Sequence, residues 1–240
     1  MIIEFMFDLA KLLLIVYCIA WGMRTYVQLQ QPTWSAPLAK HRLTVLLLLI
    51  LGVLVVKLIE DVIDEESGLV DKIILLFVHK YVPHQLTNFF EVVTYTGSFN
   101  FLLVLTVMST IALLLARRRF EALLLSVSVL SAAVVIYVVK LAVNRARPTL
   151  WETDLYWGSS FPSGHTLAVA AFATAIALIA TRVSPSTRSV AVAMAITWIS
   201  LVALSRLVLG VHWPTDVLAA ACIGASLPLA LSVAHELHYN

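Results

Sequence analysis

Long apolar runs limit what this chain can fold into more than any other feature. A helix of about 20 apolar residues matches the thickness of a bilayer's hydrocarbon core. Hydrophobic residues make up 61% of the 240 residues and charged residues only 12%, well below the roughly 25% of ordinary soluble domains. A soluble core cannot bury that much apolar surface. The sequence therefore predicts an all-α, polytopic membrane helix bundle with six core transmembrane helices, at about 43–63, 99–116, 120–142, 163–181, 188–209 and 214–234.

The N-terminal stretch is harder to place. Residues 1–24 are apolar but carry Glu4, Asp8 and Lys11 near the front, and the uninterrupted part at about 12–23 is short for a span. An extra crossing and an amphipathic helix at the membrane interface fit this pattern about equally well.

The rest of the chain offers no boundary between domains, since no repeat, low-complexity tract or shift in composition is evident. The polar residues at 25–42 predict a loop. We therefore predict a single membrane domain over 1–240, with an N-terminal helix and loop at 1–42 and the six-helix core at 43–240.

Residues 67–97 differ from the apolar runs because apolar and polar residues alternate there at helical spacing, as Val70, Ile73 and Phe77 show. This pattern predicts a helix lying along the membrane surface. Two interpretations of His79 and His84 within it remain open: a solvated interfacial face, or a lip that receives lipid head groups.

Basic residues set the expected orientation of the bundle. They cluster before the first run, between the second and third, and between the fourth and fifth, which places all of these loops on one side. The positive-inside rule assigns that side to the cytoplasm. Alternation then brings the end of the third run, the start of the fourth and the junction of the fifth and sixth together on the opposite face. The eight basic residues are Arg24, Lys40, Arg42, Arg117, Arg118, Arg119, Arg182 and Arg188.

The junction of the fifth and sixth runs carries ionisable residues that a membrane helix rarely tolerates. Arg206, His212 and Asp216 lie there, and such groups are stable near the bilayer only when they pair with each other or with a ligand. Gly210 should end the first helix, and Pro214 fits the first turn of the next. Asp216 can then accept from one nitrogen of His212 and leave the other basic.

Two further stretches complement this junction. Lys140 and Arg147 are seven residues apart, so they share a helix face if the helix persists to Pro148. The sequence places Arg145 off that face, in contact with lipid phosphate. Pro162 should begin a helix whose first-turn N–H groups, those of Ser163, Gly164 and His165, form an anion site. Cations, a helix N-terminus and two histidines predict a phosphate pocket.

Together the three stretches resemble, complete and in order, the three-part signature of the type 2 phosphatidic acid phosphatase superfamily, which includes membrane lipid phosphate phosphatases and soluble vanadium haloperoxidases. The resemblance covers about 140–216. The motifs that carry it are Lys140-x6-Arg147-Pro148, Pro162-Ser163-Gly164-His165 and Ser205-Arg206-x5-His212-x3-Asp216.

The resemblance implies a role for each motif residue. His212 would attack phosphorus to form a phosphohistidine, Asp216 would orient it, and His165 would protonate the leaving oxygen and later activate water. Phosphate would be bound by the remaining motif residues, Lys140, Arg147, Ser163, Gly164 and Arg206. The sequence has no cluster of Asp and Glu suited to magnesium, so it predicts a metal-independent enzyme without a cofactor.

These features predict a hydrolase that removes a terminal phosphate from a membrane lipid, with undecaprenyl diphosphate, phosphatidylglycerophosphate and phosphatidic acid as the favoured substrates. Acidic residues near the pocket, Glu152 and Asp154 among them, would repel bulky anionic head groups. Two alternatives remain: a lipid phosphotransferase, and a non-catalytic protein that binds or transports lipid head groups. A net charge of +2 gives no reason to expect a nucleic-acid partner. In a bacterium the site would face the periplasmic or extracellular side of the inner membrane.

Overall fold

The described part of the chain comprises residues 2–30, 41–151 and 158–239 of a computed structural model, and its regular elements are helical. Glu152 and Asp154 lie outside it. Short 3-10 turns at His84–Leu86 and Pro185–Thr187 precede two of the α-helices. The α-helices are α1 (Ile2–Gln30), α2 (Arg42–Ile63), α3 (Gly68–Tyr81), α4 (Thr87–Tyr95), α5 (Phe99–Leu115), α6 (Arg119–Val143), α7 (Gly164–Val183), α8 (Arg188–Val208) and α9 (Pro214–Tyr239).

Six helices among the described residues are long and apolar enough to cross a membrane, which confirms the polytopic helical fold. Five of them, α2, α6, α7, α8 and α9, coincide with predicted runs. The sixth is the N-terminal helix over Ala10–Gln30. The remaining predicted run forms α5, which is shorter. It qualifies only together with His84–Tyr95, from which it is bent by 44°, so the count rises to seven if that pair is one span.

The single surface helix predicted for 67–97 is wrong, because this stretch forms α3 and α4 separated by a break. Val82 takes an extended conformation (φ −87°, ψ 118°), as the residue before a proline prefers, and Pro83 prevents α3 from continuing. The orientation of α3 is informative. Its apolar residues Ile73 and Phe77 are exposed, whereas Asp71 and Leu75 are buried against the bundle.

The helix α7 lies at the centre of the bundle and packs against α6, α8 and α9. Small residues on α7 and α9 allow these two backbones to approach closely, as at many helix crossings in membranes. Gly224 of α9 lies against Leu167, Ala170 and Ala171 of α7, where even a Cβ would collide with the Leu167 carbonyl oxygen.

The end of the bundle away from α3 brings several basic and acidic residues together. Glu236 near the end of α9 forms an ion pair with Arg182 at the end of α7 and contacts the His41 ring before α2. Arg182 also lies over the Phe120 ring, 4.7 Å from its centroid, at the start of α6. The loops that carry Arg117–Arg119 and Arg182 therefore share one end of the bundle, as the sequence predicts.

Candidate active site

His212 lies in a buried corner between α8 and α9. The helix α8 ends at Val208, Gly210 follows with a positive φ of 68°, and α9 begins at Pro214, as predicted. A Cβ at Gly210 would lie 2.5 Å from Nε1 of Trp151. The left-handed turn and the closeness of this ring both favour glycine here.

The two ring nitrogens of His212 face different partners. Nδ1 lies 3.4 Å from Oδ2 of Asp216, too far for a good hydrogen bond, and Nε2 lies 3.4 Å from Nη1 of Arg147. Burial lowers the pKa of His212 to about 4, against the opposing effect of Asp216. The imidazole is therefore neutral at pH 7. A proton on Nδ1, which faces the carboxylate, leaves a lone pair on Nε2.

Asp216, the fully buried carboxylate behind this histidine, is itself held from several sides. Oδ2 accepts a 2.8 Å hydrogen bond from the backbone N–H of Trp213, as the third helical residue does in a capping box. Oδ1 accepts a 2.6 Å hydrogen bond from Nη1 of Arg145. These two hydrogen bonds therefore fix the position of the carboxylate independently of its contact with His212.

Lys140 and Arg147 come together, but not for the predicted reason. The helix does not persist to Pro148: α6 ends at Val143, and Asn144 has a left-handed backbone with φ 45°. Nevertheless both cations approach the Ser159 carbonyl, Arg147 through Nη2 at 3.5 Å. Arg147 also donates a 2.9 Å hydrogen bond to the Val211 carbonyl, which brings it beside the His212 corner.

Arg206, the third cation, is buried with only 1% of its surface exposed. It lies in the last turn of α8, and its Nη1 donates a 2.6 Å hydrogen bond to Oγ1 of Thr94 on α4. An arginine tolerates such burial only when its donors and charge are compensated. Helix α4, which follows the break at Pro83, therefore holds Arg206 in place through Thr94.

The anion site predicted at Pro162–His165 needs a correction. Pro162 precedes the helix, which begins at Gly164 with Ser163 as its N-cap residue. The Ser163 N–H donates to the carbonyl of Asp216 at 3.2 Å, and its hydroxyl pairs with that of Thr166 at 3.1 Å. This hydrogen bond joins the starts of α7 and α9. The Ser163 N–H is therefore already engaged, and only those of Gly164 and His165 remain of the three donors predicted to bind an anion.

His165 lies beside the other motif residues and also lines a cavity of about 530 Å³. Arg206, His212, Arg147 and Lys140 are all close enough to interact electrostatically with it, so the three sequence motifs converge. The cavity wall includes His79, His84 and Glu91, together with Trp151. The ring of His79 stacks on that of Trp151, with centroids 4.0 Å apart.

A comparison of the sequence with known families agrees with this geometry. Residues 121–238 match the model of the PAP2 superfamily. Over these residues, the chain belongs to the PAP2 superfamily. The matched segment runs from the start of α6 to the end of α9, so it contains all three motifs.

Individual relatives of this PAP2 chain are bacterial. It is 41% identical over 78 residues to phosphatidylglycerophosphatase B of Escherichia coli (strain K12) and of Shigella flexneri. That match spans 32% of this chain but only 28% of the length of these curated relatives.

Two crystal structures share the fold of this PAP2 chain. One is described as the first transmembrane PAP2 type phosphatidylglycerolphosphate phosphatase from Bacillus subtilis, with TM-score 0.72, 24% identity and coverage of 78% of this chain and 94% of that one. The other is Aquifex aeolicus LpxE, with TM-score 0.55, 23% identity and coverage of 66% and 92%.

The sequence predicts that Arg145 contacts lipid phosphate, and this prediction is wrong. Its guanidinium lies between the buried carboxylates of Asp71 and Asp216, at 2.6 Å from each. Arg145 is off the Lys140 face, as predicted, but because the helix ends at Val143 the residue lies in the segment after α6, where it reaches the two carboxylates and not lipid.

Sequence reasoning also missed Asp71 and Thr94, which contact Arg145 and Arg206. Both lie outside the segment that matches the PAP2 model, on helices whose packing partners are distant in the chain. Neither residue gave a local signal. Asp71 is followed by Lys72 in an amphipathic helix, where charged residues are expected on the solvent side.

Proposed function

We propose that this protein is a membrane-embedded hydrolase that removes a terminal phosphate from a lipid phosphate or diphosphate. The observation that carries the proposal is the environment of His212, whose Nε2 lies beside Arg147 while its Nδ1 faces the held carboxylate of Asp216. A neutral imidazole with its lone pair among cations can attack a bound phosphate. Pure binding of a head group would require no such orientation.

The proposed reaction has two steps, with His212 as nucleophile. In the first, Nε2 forms a bond to phosphorus while the bond from phosphorus to the lipid oxygen breaks, and His165, which begins the step as the imidazolium, donates a proton to that oxygen and is left neutral. In the second, the neutral His165 takes a proton from water, the water oxygen bonds to phosphorus, and the bond to Nε2 breaks. Asp216 stabilises the positive charge on the ring between the two steps.

Lys140, Arg147 and Arg206 are proposed to bind the phosphate. Phosphoryl transfer depends mainly on positioning and on neutralising the charge of the phosphate oxygens. Arg147 and Lys140 already converge on one carbonyl, and Arg206 is fixed by Thr94. A phosphate would replace that neutral carbonyl as their shared acceptor and would bring the negative charge that the two cations can neutralise. We assign the Gly164 N–H to the same cradle, while Ser163 contributes by holding the start of α7 in place.

We further propose that the reaction needs no metal ion. Among the described residues no group of three or more His, Cys, Asp and Glu side chains could hold one. The cations named above would take over the neutralising role that magnesium has in many phosphoryl transfers.

A lipid is the proposed substrate because the site lies at one end of a membrane bundle. A head group can enter there while its tail remains in the bilayer, which avoids a transfer to water of about 0.8 kcal/mol per CH₂. The name of the Escherichia coli relative directs attention to phosphatidylglycerophosphate. Undecaprenyl diphosphate and phosphatidic acid are the other favoured candidates. His79 and His84, in the wall of the cavity beside His165, are proposed to receive the leaving head group.

Purified protein in detergent micelles should release phosphate from at least one of these three lipids, with EDTA present throughout. We expect kcat/KM at least about tenfold higher than for p-nitrophenyl phosphate, a difference of roughly 1.4 kcal/mol in transition-state binding. Equal rates on all four compounds would contradict the lipid argument. Activity restored only by added magnesium would contradict metal independence.

The same assay distinguishes the alternatives. A phosphotransferase would release little free phosphate until an alcohol acceptor lipid is added, and would then label that lipid. A transport or binding protein would retain a phosphate lipid without converting it.

We propose that the site faces the periplasm or the exterior of a bacterial inner membrane. The arginine-rich loops lie at the end of the bundle opposite His212, and the positive-inside rule assigns them to the cytoplasm. The loop after α2 lies at the site end, since the Ser67 hydroxyl oxygen accepts a 3.0 Å hydrogen bond from Nη2 of Arg145 there.

Single cysteines can test this orientation in a variant that lacks Cys18 and Cys222. A membrane-impermeant maleimide added to intact cells should label Glu66→Cys, and should label Arg118→Cys and Ser186→Cys only after the membrane is opened. Labelling of all three positions in intact cells would contradict the proposed topology.

A further inference from the structure

A buried ion network extends from the His212 corner to helix α3. Arg145 lies at its centre, only 14% of its side chain exposed, with Asp71 at 1% and Asp216 at 0% on either side. One guanidinium nitrogen, Nη1, donates to Asp216, and the other, Nη2, donates to Asp71. Both contacts measure 2.6 Å, which is short even for charge-assisted hydrogen bonds.

The outer carboxylate is held as firmly as the inner one. Oδ1 of Asp71 accepts a 2.9 Å hydrogen bond from the Thr215 N–H, and Oδ2 accepts one of 2.7 Å from the Thr215 hydroxyl. Ser67 adds a 3.0 Å contact to Nη2 of Arg145. The network therefore joins α3, the segment after α6, and the first turn of α9, elements that are far apart in the chain.

We propose that Arg145 and Asp71 are positioning residues that hold Asp216 in the orientation which His212 requires. This inference rests on the proposed function, in which His212 is the nucleophile. A carboxylate can rotate about its own axis unless both oxygens are held. In Asp216 the Trp213 N–H holds Oδ2 and Arg145 holds Oδ1. The planar guanidinium can hold Asp216 with one nitrogen only because Asp71 fixes the other.

The contacts also distinguish this role from phosphate binding. Both terminal nitrogens of Arg145 donate to carboxylates and hydroxyls of the protein, unlike Arg147, which approaches the ring of His212 directly. A residue that acts through Asp216 should affect the chemical step and leave phosphate affinity unchanged. A residue that itself binds the phosphate would affect both the chemical step and the phosphate affinity.

The test compares kcat, KM and inhibition by inorganic phosphate for Arg145→Gln in detergent, on whichever lipid phosphate the wild type cleaves. We expect kcat to fall by about 30–100-fold, since misplacement of a reacting group by about 1 Å can lower the rate about 100-fold. KM and the phosphate inhibition constant should change by less than about threefold. Asp71→Asn keeps the shape of the side chain but weakens its hydrogen bond with Arg145, and it should lower kcat by about fivefold.

Arg145→Lys provides the conservative comparison. An ammonium group preserves the charge but cannot reach two carboxylates with the geometry of a guanidinium. We expect it to restore less than about a third of the activity lost in Arg145→Gln. Full rescue would mean that charge alone matters and would contradict a positioning role.

Dependence on Asp216 is the decisive measurement. In an Asp216→Asn background, adding Arg145→Gln should change kcat by less than about twofold, because the residue through which it acts is already altered. Equal, independent effects in both backgrounds would overturn the inference. Asp61→Asn, which breaks the 2.7 Å ion pair with Lys57 on α2, serves as the matched control and should retain wild-type kcat.

Protein quality and the underlying function are checked separately. If Arg145→Gln cannot be purified as a folded protein, Arg145→Lys and Asp71→Asn carry the test, and wild-type kcat in both would overturn the inference. If the wild type itself releases no phosphate from any lipid, the proposed function fails. An active wild type with an equally active Arg145→Gln would refute only the positioning role.

Discussion

Replacing His212 with alanine is expected to lower phosphate release by about 10⁴-fold or more. Loss of a positioned nucleophile removes the covalent route entirely and leaves only the contribution of the surrounding charges. Asp216→Asn should retain more activity than His212→Ala, because it disturbs the orientation and the charge stabilisation of the ring but leaves the attacking atom in place. The measurement is the rate of phosphate release from the best lipid substrate, in micelles, over a range of enzyme concentrations wide enough to detect this loss.

The control for this variant is His41→Ala. His41 pairs with Glu236 at the opposite end of the bundle, so its loss should leave kcat within about twofold of wild type. A covalent intermediate gives an independent readout. Lipid carrying radiolabelled terminal phosphate should transfer label to the wild-type protein, detectable after an alkaline quench, and no label to His212→Ala. Near-normal turnover by His212→Ala would contradict the proposal that His212 is the nucleophile.

The His212 corner could be predicted from sequence because its geometry is local. Gly210 ends one helix and Pro214 begins the next, and the four-residue separation places Asp216 in the first turn facing His212. Short-range rules of helix ends determine all of this. The bundle could also be predicted, because apolar runs of the necessary length have few alternatives to a helix in a membrane.

Other features depend on contacts between distant parts of the chain, and local rules did not reach them. Asp71 and Arg145 are 74 residues apart. Nothing in the pattern of α3 indicates that the apolar face points away from the bundle while a carboxylate is buried. Lys140 and Arg147 illustrate a different lesson. Their predicted proximity is observed, but Asn144 ends the helix on which the prediction relied.

Gly224→Ala is expected to destabilise the protein and also to reduce activity. Alanine is normally favoured over glycine in a helix by about 1 kcal/mol. At Gly224, however, a Cβ would collide with the Leu167 carbonyl oxygen and lie 2.7 Å from the Cβ of Ala170. Neither is the end of a flexible side chain, so α7 and α9 must separate. Overpacking of this kind destabilises by about 1–3 kcal/mol, which lowers Tm by roughly 5–10 °C at the upper end.

The activity loss follows from the same displacement. The Ser163 N–H at the start of α7 donates to the Asp216 carbonyl, so separating these helices disturbs the carboxylate behind His212. Gly52→Ala on α2 is the matched control, because no atom lies within 4 Å of its added Cβ. We expect that variant to keep wild-type activity and to show an unchanged or slightly higher Tm, measured for both proteins in the same detergent. The expected effects of the same substitution thus have opposite signs at two glycines. A Gly224→Ala protein as stable and active as Gly52→Ala would show that the close crossing of α7 and α9 does not hold the site together.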